Sequence, residues 1–86
     1  MDLRKKVKLA LERYLRPERI ELKDNDGISG YVVSPQFRRM TMIDRQALIY
    51  NALRESSARL KPEEIRRVIA VAALTPEEYI GHDLSG

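Results

Sequence analysis

The stretch Tyr31-Val32-Val33-Ser34-Pro35-Gln36-Phe37, continuing through Arg38-Arg39-Met40-Thr41-Met42-Ile43-Asp44-Arg45-Gln46, constrains this chain more than any other part of it. Tyr31–Val33 is aromatic and β-branched and reads as a strand. Ser34 is placed to cap a short turn with Pro35 at its first position, where the missing N–H costs nothing. Thr41-Met42-Ile43-Asp44 has the capping-box spacing that satisfies free amides at a helix start. Strand, turn, basic elbow and helix therefore form one unit, and Phe37, the only phenylalanine, is expected to plug the core beneath it. Leu74-Thr75-Pro76-Glu77-Glu78-Tyr79 answers this unit near the C-terminus.

Before it, Leu3, Val7, Ala10, Leu11 and Tyr14 recur at helical spacing and leave Lys5, Lys8, Glu12 and Arg16 outside. Pro17 ends that helix. Ile20-Glu21-Leu22-Lys23 alternates with period two, and Asp24 to Gly30 is a dense turn signal, so residues 20–33 are expected to form a hairpin. After Thr41 the helix presents Ile43, Ala47, Ile49, Tyr50 and Leu53 on one wide face and runs to about Ser56 or Ser57. Pro62-Glu63-Glu64 is a sound helix start. Beyond it, Val68-Ile69-Ala70-Val71 fits either a continuing helix or a strand buried on both faces, and periodicity does not decide. A two-stranded hairpin is barely stable alone, so the expectation is a short helix followed by a third strand. Thr75-Pro76-Glu77-Glu78 then opens one further turn of helix.

With 86 residues the chain has room for one small domain, expected over 1–80 with a flexible tail over 81–86. The absence of cysteine removes disulfides, thiolate nucleophiles and cysteine ligands, and fits a reducing, cytoplasmic compartment. Met1 to Lys6 opens an amphipathic pattern rather than an apolar run, so no secretory signal is expected there. No segment approaches the ~20 apolar residues of a membrane span. The net charge of +3 is unevenly spread, with a basic body and an acidic tail. That asymmetry raises the prospect of an anionic partner, although solvated helix faces give similar counts.

Catalysis is not expected. No Ser/His/Asp arrangement or carboxylate cluster stands out, and the one histidine, His82, sits in the tail without the companions a metal site needs. Gly27-Ile28-Ser29-Gly30 matches the backbone clamp of KH domains, but here it joins two strands and reads as a hairpin turn. Tyr14, Tyr31 and Tyr50 read as core or core-edge aromatics, and Tyr79 as a pin for the closing turn.

Taken together, Val32-Val33-Ser34 with Phe37, Arg45-Gln46 leading into Leu48-Ile49-Tyr50 and Leu53, and Leu74-Thr75-Pro76-Glu77-Glu78-Tyr79 resemble the BolA-like family over residues 3 to 79. The resemblance implies an α+β fold of order helix-strand-strand-helix-helix-strand, related to the second type of KH domain, with a three-stranded sheet and helices on one face. It also favours a strand at residues 67–74. Family members that share an iron–sulfur cluster with a monothiol glutaredoxin look to a histidine just before the last strand and to a cysteine or histidine in the hairpin loop. Counting back from Thr75-Pro76, Arg67 holds the histidine position, and the loop contains neither ligand, so no cofactor is expected. Where the family often reads Phe-x-Gly, this chain has Arg39 in place of the glycine.

Two functions follow. One is a nucleic-acid-binding regulator, stress-linked and transcriptional as the resemblance implies, with Arg38, Arg39, Arg45, Lys61, Arg66 and Arg67 as phosphate contacts. The other is a protein-interaction adaptor, docking on a glutaredoxin-like or other partner without supplying a ligand to iron. Ala70 and Ala72 fall opposite Ile69 and Val71, so the outer sheet face is expected to be apolar and to be covered by a partner or by a second copy in a homodimer. A membrane-surface role for the first helix is discounted, because its apolar stripe is needed for the core.

Overall fold

The computed structural model describes residues 2–55 and 60–85, with side chains as far as Gly81. The first helix, α1 (Leu3–Leu15), starts where Asp2 accepts the Lys5 amide at 2.8 Å. It ends where Arg16 turns left-handed (φ 48°) and its N–H closes on the Glu12 carbonyl, one residue before Pro17. Val7, Ala10, Leu11 and Leu15 are buried along it. Leu15 takes the place expected of Tyr14, which is exposed.

Strands β1 (Arg19–Asp24) and β2 (Ile28–Val33) form the hairpin, antiparallel, with Leu22 opposite Gly30 and Asp24 opposite Ile28. The reversal is shorter than the turn signal implied, since Ile28, Ser29 and Gly30 are already strand. Asp26 (φ 57°) and Gly27 (φ 126°) make the bend. Gly30 (φ 152°) admits β1 so closely that a Cβ there would lie 1.9 Å from the Glu21 carbonyl oxygen. Both glycines thus serve hairpin geometry.

The elbow follows as a 3₁₀ turn over Pro35–Phe37, capped by the Ser34 hydroxyl, which accepts the Gln36 amide at 3.1 Å. Phe37 is fully buried. Helix α2 (Met42–Glu55) begins where Thr41 Oγ1 accepts the Asp44 amide, as its spacing predicts. Its expected end at Ser56 or Ser57 lies outside the described residues. Its inward face differs from expectation: Arg45, Ile49, Ala52 and Leu53 are buried, whereas Ile43 is 81% exposed and Tyr50 51% exposed. Ala47 is exposed as well. Only a narrow stripe meets the sheet.

A single turn, α3 (Pro62–Ile65), leads into β3 (Val68–Leu74), which pairs in parallel with β2 and gives a mixed sheet of order β1-β2-β3. Parallel neighbours need a long crossover, and α2 and α3 supply it. Ile28 pairs with Val68 but Ser29 with Ala70, so Ile69 is an extra residue in a bulge. The bulge resets the alternation. Val71 and Ala73 point into the core, Ala70 and Ala72 face out, and Ile69, expected beside Val71, is 65% exposed.

The core lies between the inner sheet face and helices α1 and α2, built on Val7, Leu11, Ile28, Val32 and Phe37. Each such side chain contributes on the order of 1.5–3 kcal/mol. In so small a core, losing one removes much of the net stability.

The last helix, α4 (Pro76–Ser85), is longer than the single turn expected and includes the backbone of His82. Its start is a reciprocal capping box: Thr75 Oγ1 accepts the Glu78 amide at 3.1 Å and Glu78 Oε1 accepts the Thr75 amide at 2.8 Å. From α4, Tyr79 rests on Tyr31 of the outer sheet face, ring centroids 5.5 Å apart, with the Arg19 guanidinium 5.3 Å above it. Glu21, Lys23 and Ser29 stand on that same face beside Ala72. The outer face is mixed in character, not the apolar surface expected from β3 alone.

Candidate functional site

Two neighbouring features of α2 decide what surface this fold offers. The first is its attachment to β3. A terminal strand exposes backbone groups along its open edge. Arg45 and Gln46 answer this: Gln46 Nε2 donates to the Val71 carbonyl at 2.9 Å, and Arg45 Nη1 donates to the Ala73 carbonyl at 3.1 Å. Arg45 also donates through Nε to the Met40 carbonyl at 3.1 Å and through Nη1 to Glu78 Oε1 at 2.7 Å. A planar guanidinium suits such a convergence of acceptors. Arg45 is 7% exposed, so the phosphate contact expected of it gives way to an internal tie between elbow, β3 and α4.

Arg38 is also engaged. Its Nε donates to Glu77 Oε1 at 2.9 Å and its Nη2 to Glu77 Oε2, a bidentate pair at the surface. Arg39 is exposed and left-handed (φ 64°), which explains why a glycine is expected at this position. Lys61, Arg66 and Arg67 flank α3 and are exposed. The Arg67 backbone does structural work, its carbonyl accepting the Ile28 amide at 2.8 Å. α2 spans 14 residues, about 21 Å, and runs against β3, since Arg45 meets Ala73 while Leu53 and Val68 share a cavity at the other end. Arg38 and Arg39 therefore stand at one end of α2, and Lys61, Arg66 and Arg67 at the other. The six cations do not form one patch.

The second feature is a groove of about 800 Å³ between α2, α3 and β3. Ile49, Leu53 and Val71 line its buried side, and the exposed Tyr50 and Ile69 stand at its mouth. Arg54 and Arg66 also line it, and no acidic side chain does among the described residues. The Arg54 guanidinium lies 5.7 Å from the centre of the Tyr50 ring. Lys6 Nζ reaches both oxygens of Glu64 at 3.0 Å, tying α1 to α3. That carboxylate is held below the usual range, chiefly by the Lys61 amide and then by Lys6. Little in the sequence marks this groove, because helical spacing places Tyr50 in the buried stripe and period-two alternation places Ile69 on the inner strand face. Its one trace is the ambiguity of the run at 68–71.

No protein-family model and no curated protein matches the chain, but solved structures do. A crystal structure of a Bol-like protein from Babesia bovis matches at 27% identity and TM-score 0.71, over 96% of this chain and 95% of that one. The chain has a BolA-like fold. BolA1 from Arabidopsis thaliana (22% identity, TM-score 0.66) and the BolA domain of SufE1 from the same plant (21%, 0.69) share the fold, each over 91% of this chain and 96% of its own.

Against the cluster ligands of BolA-like proteins, the residues present do not fit. Arg67 stands where the histidine is expected, and a guanidinium has no lone pair to give iron. The hairpin loop Asn25, Asp26 and Gly27 offers neither cysteine nor histidine. Among the described residues no helix is long and apolar enough to cross a membrane.

Proposed function

We propose that this chain is a non-enzymatic BolA-like interaction module that acts by docking on a protein. The observation that carries the reading is the groove between α2, α3 and β3, with Tyr50 and Ile69 exposed at its mouth. Two of the six cations expected to hold phosphate are spent on Glu77, Glu78 and backbone carbonyls, and the rest lie at opposite ends of α2. One of the matching structures is the BolA domain of SufE1, a BolA fold forming part of another protein, which supports an accessory role. A glutaredoxin-like protein is within the class of partner proposed, docked without a cluster ligand from this chain.

Affinity capture from the native cytosol, with and without nuclease, tests the reading. A partner protein retained after nuclease is the expected result. Loss of every partner on nuclease treatment overturns it.

Nucleic-acid binding is the second reading, favoured by the exposure of Arg39, Lys61, Arg66 and Arg67. Affinity for short duplex or single-stranded DNA and RNA should then fall steeply between ~50 and ~200 mM salt. A flat salt response removes it.

A further inference from the structure

We infer that the groove takes an amphipathic helix flanked by acidic residues, a proposal that rests on the docking reading above and names the chemistry of its partner. A groove beside a terminal strand ordinarily admits another strand, which completes the backbone ladder. Here two acceptors such a ladder would use are already engaged, the Val71 carbonyl by Gln46 Nε2 at 2.9 Å and the Ala73 carbonyl by Arg45 Nη1 at 3.1 Å. An occupant held through its side chains has no need of them.

An α-helix satisfies its own backbone and offers apolar side chains at i, i+3 or i+4 and i+7, a span of roughly 11 Å. The wall made by Ile49, Leu53 and Val71, with Tyr50 and Ile69 standing above it, matches such a row. The bulge is what raises Ile69 into this position, and its side chain passes over Gly27, where an added Cβ would lie 2.1 Å from Ile69 Cδ1. Gly27 and Ile69 thus shape one edge of the groove together.

Charge selects the flanks. Arg54 and Arg66 are the charged residues that line the groove among those described, and both are cationic. Arg54 stays close to the Tyr50 ring, beside any apolar side chain seated there. Glutamates bordering the apolar row of the incoming helix pair with them, and lysines are repelled. A nucleic acid would leave the apolar wall unfilled.

Titrating the full, isotope-labelled chain with synthetic 18-residue helical peptides tests this by NMR. One peptide carries a leucine row bordered by glutamates, the other the same row bordered by lysines, and a short DNA serves as the third probe. The glutamate peptide should shift the resonances of Tyr50, Arg54, Arg66 and Ile69 saturably and bind roughly 10-fold more tightly than the lysine peptide. Ile69→Glu should abolish this binding, and the double change Arg54→Glu with Arg66→Glu should reverse the preference. Equal binding of the two peptides, shifts confined to another face, or tighter binding of DNA at these residues overturns the proposal. If the peptides fail while nuclease-resistant capture of a partner still depends on Ile69, the acidic-helix chemistry is wrong and the docking reading stands. If that capture is lost as well, both fall.

Discussion

Arg45 shows how a residue type can mislead about its role. In sequence it is one more cation in a basic elbow, yet its guanidinium joins the Met40 carbonyl, the Ala73 carbonyl and Glu78. Truncation leaves carbonyls and a carboxylate without their donor. Arg45→Ala should therefore lower unfolding free energy by about 2–4 kcal/mol, measured by denaturant titration. Arg45→Lys should recover only part of this, since an ammonium cannot match the fork. Arg39 behaves oppositely. Its left-handed backbone costs an L side chain roughly 1 kcal/mol, so Arg39→Gly should raise stability by about that amount. A destabilised glycine variant would mean the Arg39 side chain makes a contact worth more than the strain. Neither a φ angle nor burial is visible in the residue type, which is why Arg39 and Arg45 both read as phosphate contacts in the sequence.

At the scale of elements, the legible parts are those whose signals are local. Ser34, Thr41 and Thr75 cap what their spacing says they cap, and Pro35, Pro62 and Pro76 are each the first residue of the turn or helix they open. The illegible parts depend on partners distant in sequence. Ile69 leaves the inner face because of a pairing shift against Ile28 and Ser29, and Tyr50 and Ile43 face solvent because the sheet accepts only a narrow stripe of α2. The attachment of α4 carries its own pH dependence. Glu77 is held below the usual carboxylate range first by Arg38, and Glu78 first by the Thr75 amide and then by Arg45. A carboxylate lowered on folding contributes fully above the ordinary glutamate value near ~4.3, and the contribution drains as pH falls through the lower folded value. Stability should accordingly decline below about pH 4, together with that from Glu64. The pair Glu77→Gln with Glu78→Gln should flatten this decline in denaturant midpoints measured across the acid range. An unchanged slope would place the proton uptake elsewhere.

For the whole molecule, the fold and the groove make separable demands. The fold rests on the buried set around Phe37 and Leu11, whereas Ile69 and Tyr50 contribute surface that the core does not need. Ile69→Glu should therefore change stability by less than about 1 kcal/mol while removing docking. Gly30→Ala should do the reverse, destabilising the sheet severely because its Cβ would meet the Glu21 carbonyl oxygen, without touching the groove. The sharpest measurement is photo-crosslinking in a lysate of its native cells from a photo-reactive phenylalanine analogue placed at position 69, with a control at position 72 on the outer sheet face. The expected result is a nuclease-resistant crosslink to a protein from position 69 and none from position 72. Crosslinks to nucleic acid alone, or to protein from position 72 but not 69, would contradict a docking groove between α2, α3 and β3.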